Sequence, residues 1–363
     1  MKRFIKAFLP VLVVCSLSSC AFGSSREKGL DTSASAENQP VLAESIADAD
    51  RDEKNVSFEG NTQNNTQLKT GQTLVLPEDL PEVTPGKVAD AISRYTDANG
   101  DAAVIPSAFK VSEKEDEQTI GTGLVVIGPD ESEFVWVPTT VTPLAVRDFG
   151  SYFFGGDISS YYDETELPEY QEMLDSVECY GGFYIGRYEA SKGGNSLPVS
   201  KRITKDEPGQ IWVQFSPQDT TVACRNLYAD NDTVQGFFPW GINWDTTLQW
   251  LIDSGCKSEK EVSSDSTGWG NYSDDSFSPK EGGQYTGLWE EAKANNIYDL
   301  AGNNWEWTQE RNGSNYVMRG GGYNLMGGAC PGSRYPAALR DPLPGNNHHP
   351  NVTFRIALFV RQP

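Results

Sequence analysis

Apolar positions along this chain fall in short bursts separated by polar, Gly- and Pro-rich stretches, with little sustained periodicity. The first burst, residues 8–14, comes after the basic residues Lys2, Arg3 and Lys6 and is too short to span a bilayer. From residue 21 to about 84, Ser, Asn, Gln, Asp, Glu and Thr dominate, and Phe22 and Phe58 are the only aromatics. Such a segment cannot bury enough apolar surface to offset chain entropy, so residues 20–84 are read as a disordered polar tether. Its job would be to hold the C-terminal part of the chain away from an anchoring surface.

Order is expected from residue 85 to the end. A short helix is predicted over 87–95, then strands over 103–106, 123–127 and 134–137, parted by Gly, Pro and Asp turns. Residues 181–189 read as a strand with alternating faces. Helical spacing is confined to 168–180 and 244–254; in the second, Trp244, Leu248, Leu251 and Ile252 share a face and Asp245 lies near the start. The acidic run at 97–101 has a misplaced Gly100 and no closing glutamate for a calcium loop, so a solvated turn is expected. No repeat of solenoid length is present. The pattern defines one irregular α+β domain, 85–363, with much of its backbone in loops.

The N-terminus changes the picture of where this domain resides. Leu17-Ser18-Ser19-Cys20 after a basic start and an apolar run matches a lipoprotein signal, 1–19, with Cys20 as the lipidated first residue. Acyl chains on Cys20 would make the lipid bilayer a partner and give durable anchoring. Ala21 comes next in place of the aspartate that retains some lipoproteins at the inner membrane, so the expectation is an outer-membrane, surface-exposed location in a bacterial envelope. Asp and Glu number 51 against 29 Lys and Arg, a formal net charge of -22. That field repels phosphate backbones, which argues against nucleic acid as a partner. Of six cysteines, Cys15 departs with the signal and Cys20 is lipidated. Cys179, Cys224, Cys256 and Cys330 are left either to form two disulfides or to serve as small buried hydrophobes.

One stretch carries a family pattern: Asp299-Leu300-Ala301-Gly302-Asn303-Asn304-Trp305-Glu306-Trp307, succeeded by Met318-Arg319-Gly320-Gly321-Gly322, Arg340 and Thr353-Phe354-Arg355-Ile356-Ala357. Upstream stand Phe134-Val135-Trp136-Val137-Pro138 and Gly186-Arg187-Tyr188-Glu189. In order and content these resemble the formylglycine-generating-enzyme, or sulfatase-modifying-factor, family. The resemblance implies a C-type-lectin-like fold, a small twisted sheet with flanking helices and long structured loops. It also implies that Asn303 and Glu306 supply oxygens to a structural calcium; the alternative is that Asn303 caps a loop and Glu306 pairs with a base. Read directly, Gly302 permits a turn that a side chain would block, and Gly320 to Gly322 allow close backbone approach. Trp305 and Trp307 are expected in the core, their indole N–H groups tied to carbonyls.

The family's oxidase needs two thiolates for copper, and here Leu325 stands where the first would fall, with only Cys330 at the second. The iron-dependent branch needs histidines, and this chain has only His348 and His349, adjacent in a loop. No catalytic residue and no required cofactor is therefore expected; an oxidase acting through Cys330 alone is the enzymatic alternative, and a structural envelope or secretion subunit the other.

The tail from Gly320 to Val360 lacks Lys, Glu, Gln and Trp altogether and is built mostly from residues reachable by varying the first two bases of an asparagine codon, Met326 excepted. This composition, on that fold and behind a lipobox and tether, is similar to the variable proteins of diversity-generating retroelements. The similarity implies surface display of a ligand-binding domain, its partner a protein or glycan on another cell or host. Tyr323, Asn324, Leu325, Arg334, Arg340, Asp341, Leu343, Asn346, Asn347 and His348 would line the binding face, with a buried role for Arg340 as the alternative.

Overall fold

The computed structural model describes residues 76–77, 79–140, 142–153, 155–273, 283–325, 328–329, 335–346 and 348–361. The described residues begin their regular structure with a hairpin, β1 (Ser93–Thr96) and β2 (Ala102–Ile105), then run through β3 (Lys110–Val111), β4 (Val125–Ile127) and β5 (Glu133–Pro138). A short β6 (Tyr162–Asp163) precedes helix α1 (Pro168–Tyr180), β7 (Gly182–Gly186) and a small hairpin, β8 (Ser191–Lys192) with β9 (Pro198–Val199). Next come α2 (Pro217–Asn226), β10 (Val234–Phe237), α3 (Gly241–Asp253), α4 (Glu259–Ser263) and the pair β11 (Lys293–Ala294) and β12 (Ile297–Tyr298). The regular elements described in the C-terminal part are all strands: β13 (Trp305–Asn312), β14 (Asn315–Arg319), β15 (Asn324–Leu325), β16 (Gly328–Ala329), β17 (Asp341–Leu343), β18 (Val352–Phe354) and β19 (Ala357–Val360). The fold is α+β and dominated by sheet. No helix among the described residues is long and apolar enough to cross a membrane.

Two sheets carry the architecture. The larger has the order β10-β19-β7-β5-β4-β3; the smaller runs β17-β14-β13-β18, with β6 also paired to β13. In the larger sheet the side-chain alternation of the strands is real, yet both faces are buried. Val125, Val135, Val137, Phe183, Ile185 and Phe359 point into one core with Met173, Val177, Trp244, Leu248 and Leu251 of α1 and α3. Val126, Phe134, Trp136, Tyr184, Leu358 and Val360 point into the other, which holds Trp305, Trp307, Met318 and Phe354 of the smaller sheet. The strand at 182–186 is thus apolar at every position because it is central, as doubly covered strands require.

The helix predicted over 87–95 is absent. Ala89 exchanges backbone hydrogen bonds with the 108–109 segment (2.8 Å each way), and Ser93–Thr96 pairs with β2, so these amides never face an i−4 carbonyl. The turn after β1 is closed by Asp97, whose Oδ1 accepts from the amides of Asn99 (2.8 Å) and Asp101 (3.1 Å), with Oδ2 accepting from Ile120 (2.9 Å). That is the ordinary work of an aspartate in a turn. The last residues assigned to the tether are also structured: Leu76 and Val83 are core residues, and the Arg94 side chain donates to the Leu76 carbonyl at 3.2 Å. Isolated apolar residues in a polar stretch gave no periodic signal for this packing.

The helix at 168–180 starts at Pro168 and ends on Gly181 with φ 76°, a left-handed C-terminal residue that glycine adopts without strain. α3 begins three residues before the predicted Trp244, at Gly241. Its first turn is satisfied from a distance: Asp163 accepts from the amides of Gly241 (2.7 Å) and Ile242 (3.0 Å). Cys179, Cys224 and Cys256 form no disulfide, and burial pushes the Cys224 thiol up; Cys330 lies outside the described residues.

Candidate ligand-binding face

The polar tail hangs from three arginines, each with a fully buried side chain and each ion-paired. Arg319, at the end of β14, reaches Asp245 of α3 (2.6 Å) and Glu310 of β13 (2.8 Å). Arg340, just before β17, returns to the same two carboxylates: Nε donates to Glu310 at 2.7 Å and Nη2 to Asp245. The four side chains close a ring of alternating charge inside the protein. Arg355, after β18, grips Glu306 with two donors (2.6 and 3.1 Å) and uses two more on the carbonyls of Gly186 and Tyr298, both at 2.9 Å. Buried pairs with this many satisfied donors are costly to break from one side, because the abandoned charge stays desolvated.

Asp163 borders the ring. Burial pushes its carboxyl up to about 7, the nearby Glu310 adding to the rise against the two helix amides that oppose it. Asp163 and Glu310 carried no sequence signal and Asp245 only that of an acid near a helix start; the crossing of β6, α3 and β13 brings them together.

The motif glycines behave as the sequence implies. Gly302 has φ 74°, and a Cβ there would lie 2.5 Å from the Asn271 carbonyl oxygen. At Gly321 (φ 75°) a Cβ would meet the Tyr335 carbonyl at 2.2 Å, and at Gly322 the Trp305 ring at 2.6 Å. Trp305 and Trp307 are buried core residues on β13, next to Val352 and Phe354 of the parallel β18. Their indole nitrogens, however, find no acceptor among the described residues. Among the described residues their contacts are those of ring packing, as in the edge-on approach of Tyr335 to Trp305.

Asn303 and Glu306 do not fit a calcium ion. The Asn303 side-chain oxygen accepts from Asn271 Nδ2 (2.8 Å) and the Gly283 amide (3.0 Å), while its Nδ2 donates to Glu189 (2.6 Å) and the Tyr285 carbonyl (2.9 Å). Glu306 faces the Arg355 guanidinium with both oxygens. Donors therefore point at the atoms that a cation would need. Among the described residues no group of three or more His, Cys, Asp or Glu side chains is arranged to hold a metal. The partner of Asn303 is Glu189, fully buried, which also accepts from the Asn304 amide (2.9 Å) and its Nδ2 (3.1 Å). Burial, with Asp299 and Glu306 adding, pushes the Glu189 carboxyl well above its usual range. Asn304 is thus a hydrogen-bonding partner of Glu189. Excess chelator is expected to leave the melting temperature unchanged; a fall of several degrees, as mass action predicts for loss of a folded-state ligand, would restore the calcium assignment.

The residues assigned to a binding face divide. Arg340 is not on it: the side chain is fully buried in the ion ring. Asp341 is 4% exposed, and burial pushes its carboxyl up to about 7, so it too belongs to the interior. Leu343 is half-buried against the core that holds Trp305. Tyr323 is half-buried, its amide donating to the Asn303 carbonyl at 2.8 Å. Asn346 and His348 are exposed, and the His348 ring donates to the Gln214 carbonyl at 3.0 Å. Asn324 and Leu325 form β15, a hairpin strand paired with β16 in the register Asn324↔Ala329 and Leu325↔Gly328. Arg334 and Asn347 lie outside the described residues.

What emerges is a sheet-dominated α+β protein in which buried arginines fix the roots of a loop-rich C-terminal segment. No known protein-family profile matches the chain, and no curated protein matches it. Among solved structures it is similar to PvdO from Pseudomonas aeruginosa at 13% identity, over 65% of this chain and 97% of that one, with a TM-score of 0.36. Treponema denticola variable protein 1 is similar at 14% identity over 50% of this chain and 85% of that one, TM-score 0.32. The U1 variant of the Major Tropism Determinant is similar at 12% identity over 78% and 75%, TM-score 0.32. These likenesses are distant, and no residue's role passes across them.

Proposed function

We propose that this chain is a surface-displayed lipoprotein that binds a protein or glycan ligand through its C-terminal loops, without a catalytic step. In this reading Cys20 anchors the chain to the outer membrane, residues 20–84 lead to a C-type-lectin-like domain related to the formylglycine-generating enzymes, and a diversity-generating retroelement varies the tail. One observation carries it. Arg319, just before the compositionally biased tail, and Arg340 and Arg355 within it are buried and ion-paired, while Asn346 and His348, between the last two, are exposed. Fixed roots with polar tips are what a scaffold needs if its loops are to change without unfolding it. Leu325 at the first copper position supports the absence of oxidase chemistry.

Tyr323, Leu343, Asn346 and His348, with the β15 hairpin, make up the proposed face; Arg340 and Asp341 are its support. Sequencing the surrounding locus tests the reading. A reverse transcriptase beside the gene, with a near-copy of the tail-coding segment differing at asparagine codons, is the expected result. Identical tails across many isolates, with no such copy, would refute the retroelement assignment.

A further inference from the structure

Away from the tail, a groove of about 670 Å3 lies over the end of the larger sheet. Its floor is a cross-strand row. Lys110 of β3 is opposite Ile127 of β4, which is opposite Glu133 of β5, and directly opposed residues share a face. The Glu133 amide donates to the Ser200 carbonyl at 2.8 Å, which brings Lys201 alongside the same row. Lys192 of β8 and Arg202 stand in the walls.

The carboxylates and the ammonium groups of this groove are arranged differently. Glu133 is bound to Arg187 at 2.7 Å, and Asp130 accepts from the Ser132 amide (3.1 Å) and hydroxyl (2.8 Å) and from Tyr228. Glu207 lies 3.6 Å from Arg202, and Glu131, the fourth lining carboxylate, is exposed to solvent. Lys110 and Lys201, both half-buried, have no carboxylate within ion-pairing distance among the described residues, and Lys192 rests over the Trp212 ring at 5.8 Å. In a chain with 51 acidic and 29 basic residues, lysines left without a counter-ion on one floor are against the general trend. An ammonium without a carboxylate partner is available to an anion, and charge-assisted bonds to an oxyanion are stronger than neutral ones. The volume falls in the range of small-molecule sites, about 300–1,000 Å3. Ile127, Val199, Ile203 and Pro208 are the apolar lining and no aromatic side chain contributes, which suits a hydrophilic ligand over a flat aromatic one.

We infer that this groove binds a small hydrophilic molecule bearing an oxyanion, a carboxylate or a phosphate, facing Lys110, Lys192 and Lys201. The net charge makes the protein a poor partner for extended polyanions, whereas a single small anion needs only the three lysines at this groove. Calorimetric titration of the full chain with glucuronate, glucose 6-phosphate and glucose tests it. Saturable binding of one or both anionic sugars is expected, and which of them binds identifies the oxyanion. The double variant Lys110→Ala, Lys201→Ala should weaken that binding by about tenfold or more with an unchanged melt. The tail variant His348→Ala should bind the probes as the parent does. Equal binding of neutral glucose, unchanged affinity in the double variant, loss in the tail variant, or no anion titrating below about 10 mM would each overturn the assignment.

Discussion

Replacing Arg340 with methionine is expected to destabilise the domain by roughly 3–5 kcal/mol, the cost of removing one partner from a buried pair. The change strands Asp245 and Glu310 in the interior with Arg319 as their only shared cation, since both carboxylates bridge the two guanidiniums. That loss is a large share of the stability of any single domain. The contrast is His348→Ala, at an exposed position whose ring bonds a single carbonyl, where the change should stay within roughly half a kcal/mol. Urea melts of the two variants read the difference directly. If Arg340→Met unfolds at the parent's midpoint while ligand capture is lost, Arg340 is a binding residue and the ring is not what holds the tail.

The second large effect concerns pH. The carboxyls of Asp163 and Asp341 are pushed from an ordinary 3.8 up to about 7, in both cases by burial first. Between those values the native state keeps protons that the unfolded chain releases, so their contribution to stability is full below about pH 4 and is lost as pH rises through about 7. A difference of that size corresponds to at most ~4 kcal/mol per group. Glu189, Asp299 and Glu306 are raised by burial and act in the same direction. Glu117, held low by Ser112 and Arg187 despite its burial, acts oppositely and on the acid side. The melting temperature should therefore be higher near pH 5 than near pH 8, and Asp163→Asn should flatten the difference. A melt that rises steadily over that interval, or a variant with the parent's full pH slope, would contradict the raised carboxyls. Self-repulsion of a chain with net charge -22 also grows with pH, and the Asp163 variant separates the two effects.

By itself the sequence determined what depends on neighbours along the chain. Helix α1 was legible because Pro168 can begin a helix and Gly181 can end one. The strands at 125–127, 133–138 and 182–186 were legible as apolar bursts between turn residues. The motif around Gly302 and Trp305 announced a crowded core, because glycine and tryptophan answer to local sterics and burial before any partner is known. The extended course of 87–96 was not legible, since its backbone pairs with segments on both sides of it in the chain: Ala89 with 108–109, Arg94 with Pro81, and Ser93–Thr96 with β2.

Tertiary structure alone decided the fate of the charges. Arg340 in a Pro- and Gly-rich tail looks like a surface residue, and Asp245 near a helix start looks like a favourable first-turn acid. Both are interior because β13, β14, β17 and α3 converge on one point. The same holds for Glu306 and Arg355, 49 residues apart, where the sequence left a calcium ligand and an acid paired with a base both open. Hydrophobic patterning is a one-dimensional signal, because each residue carries its own transfer free energy. Ion pairing is a property of two positions at once, and no pattern within one segment reveals which distant base a buried acid will meet.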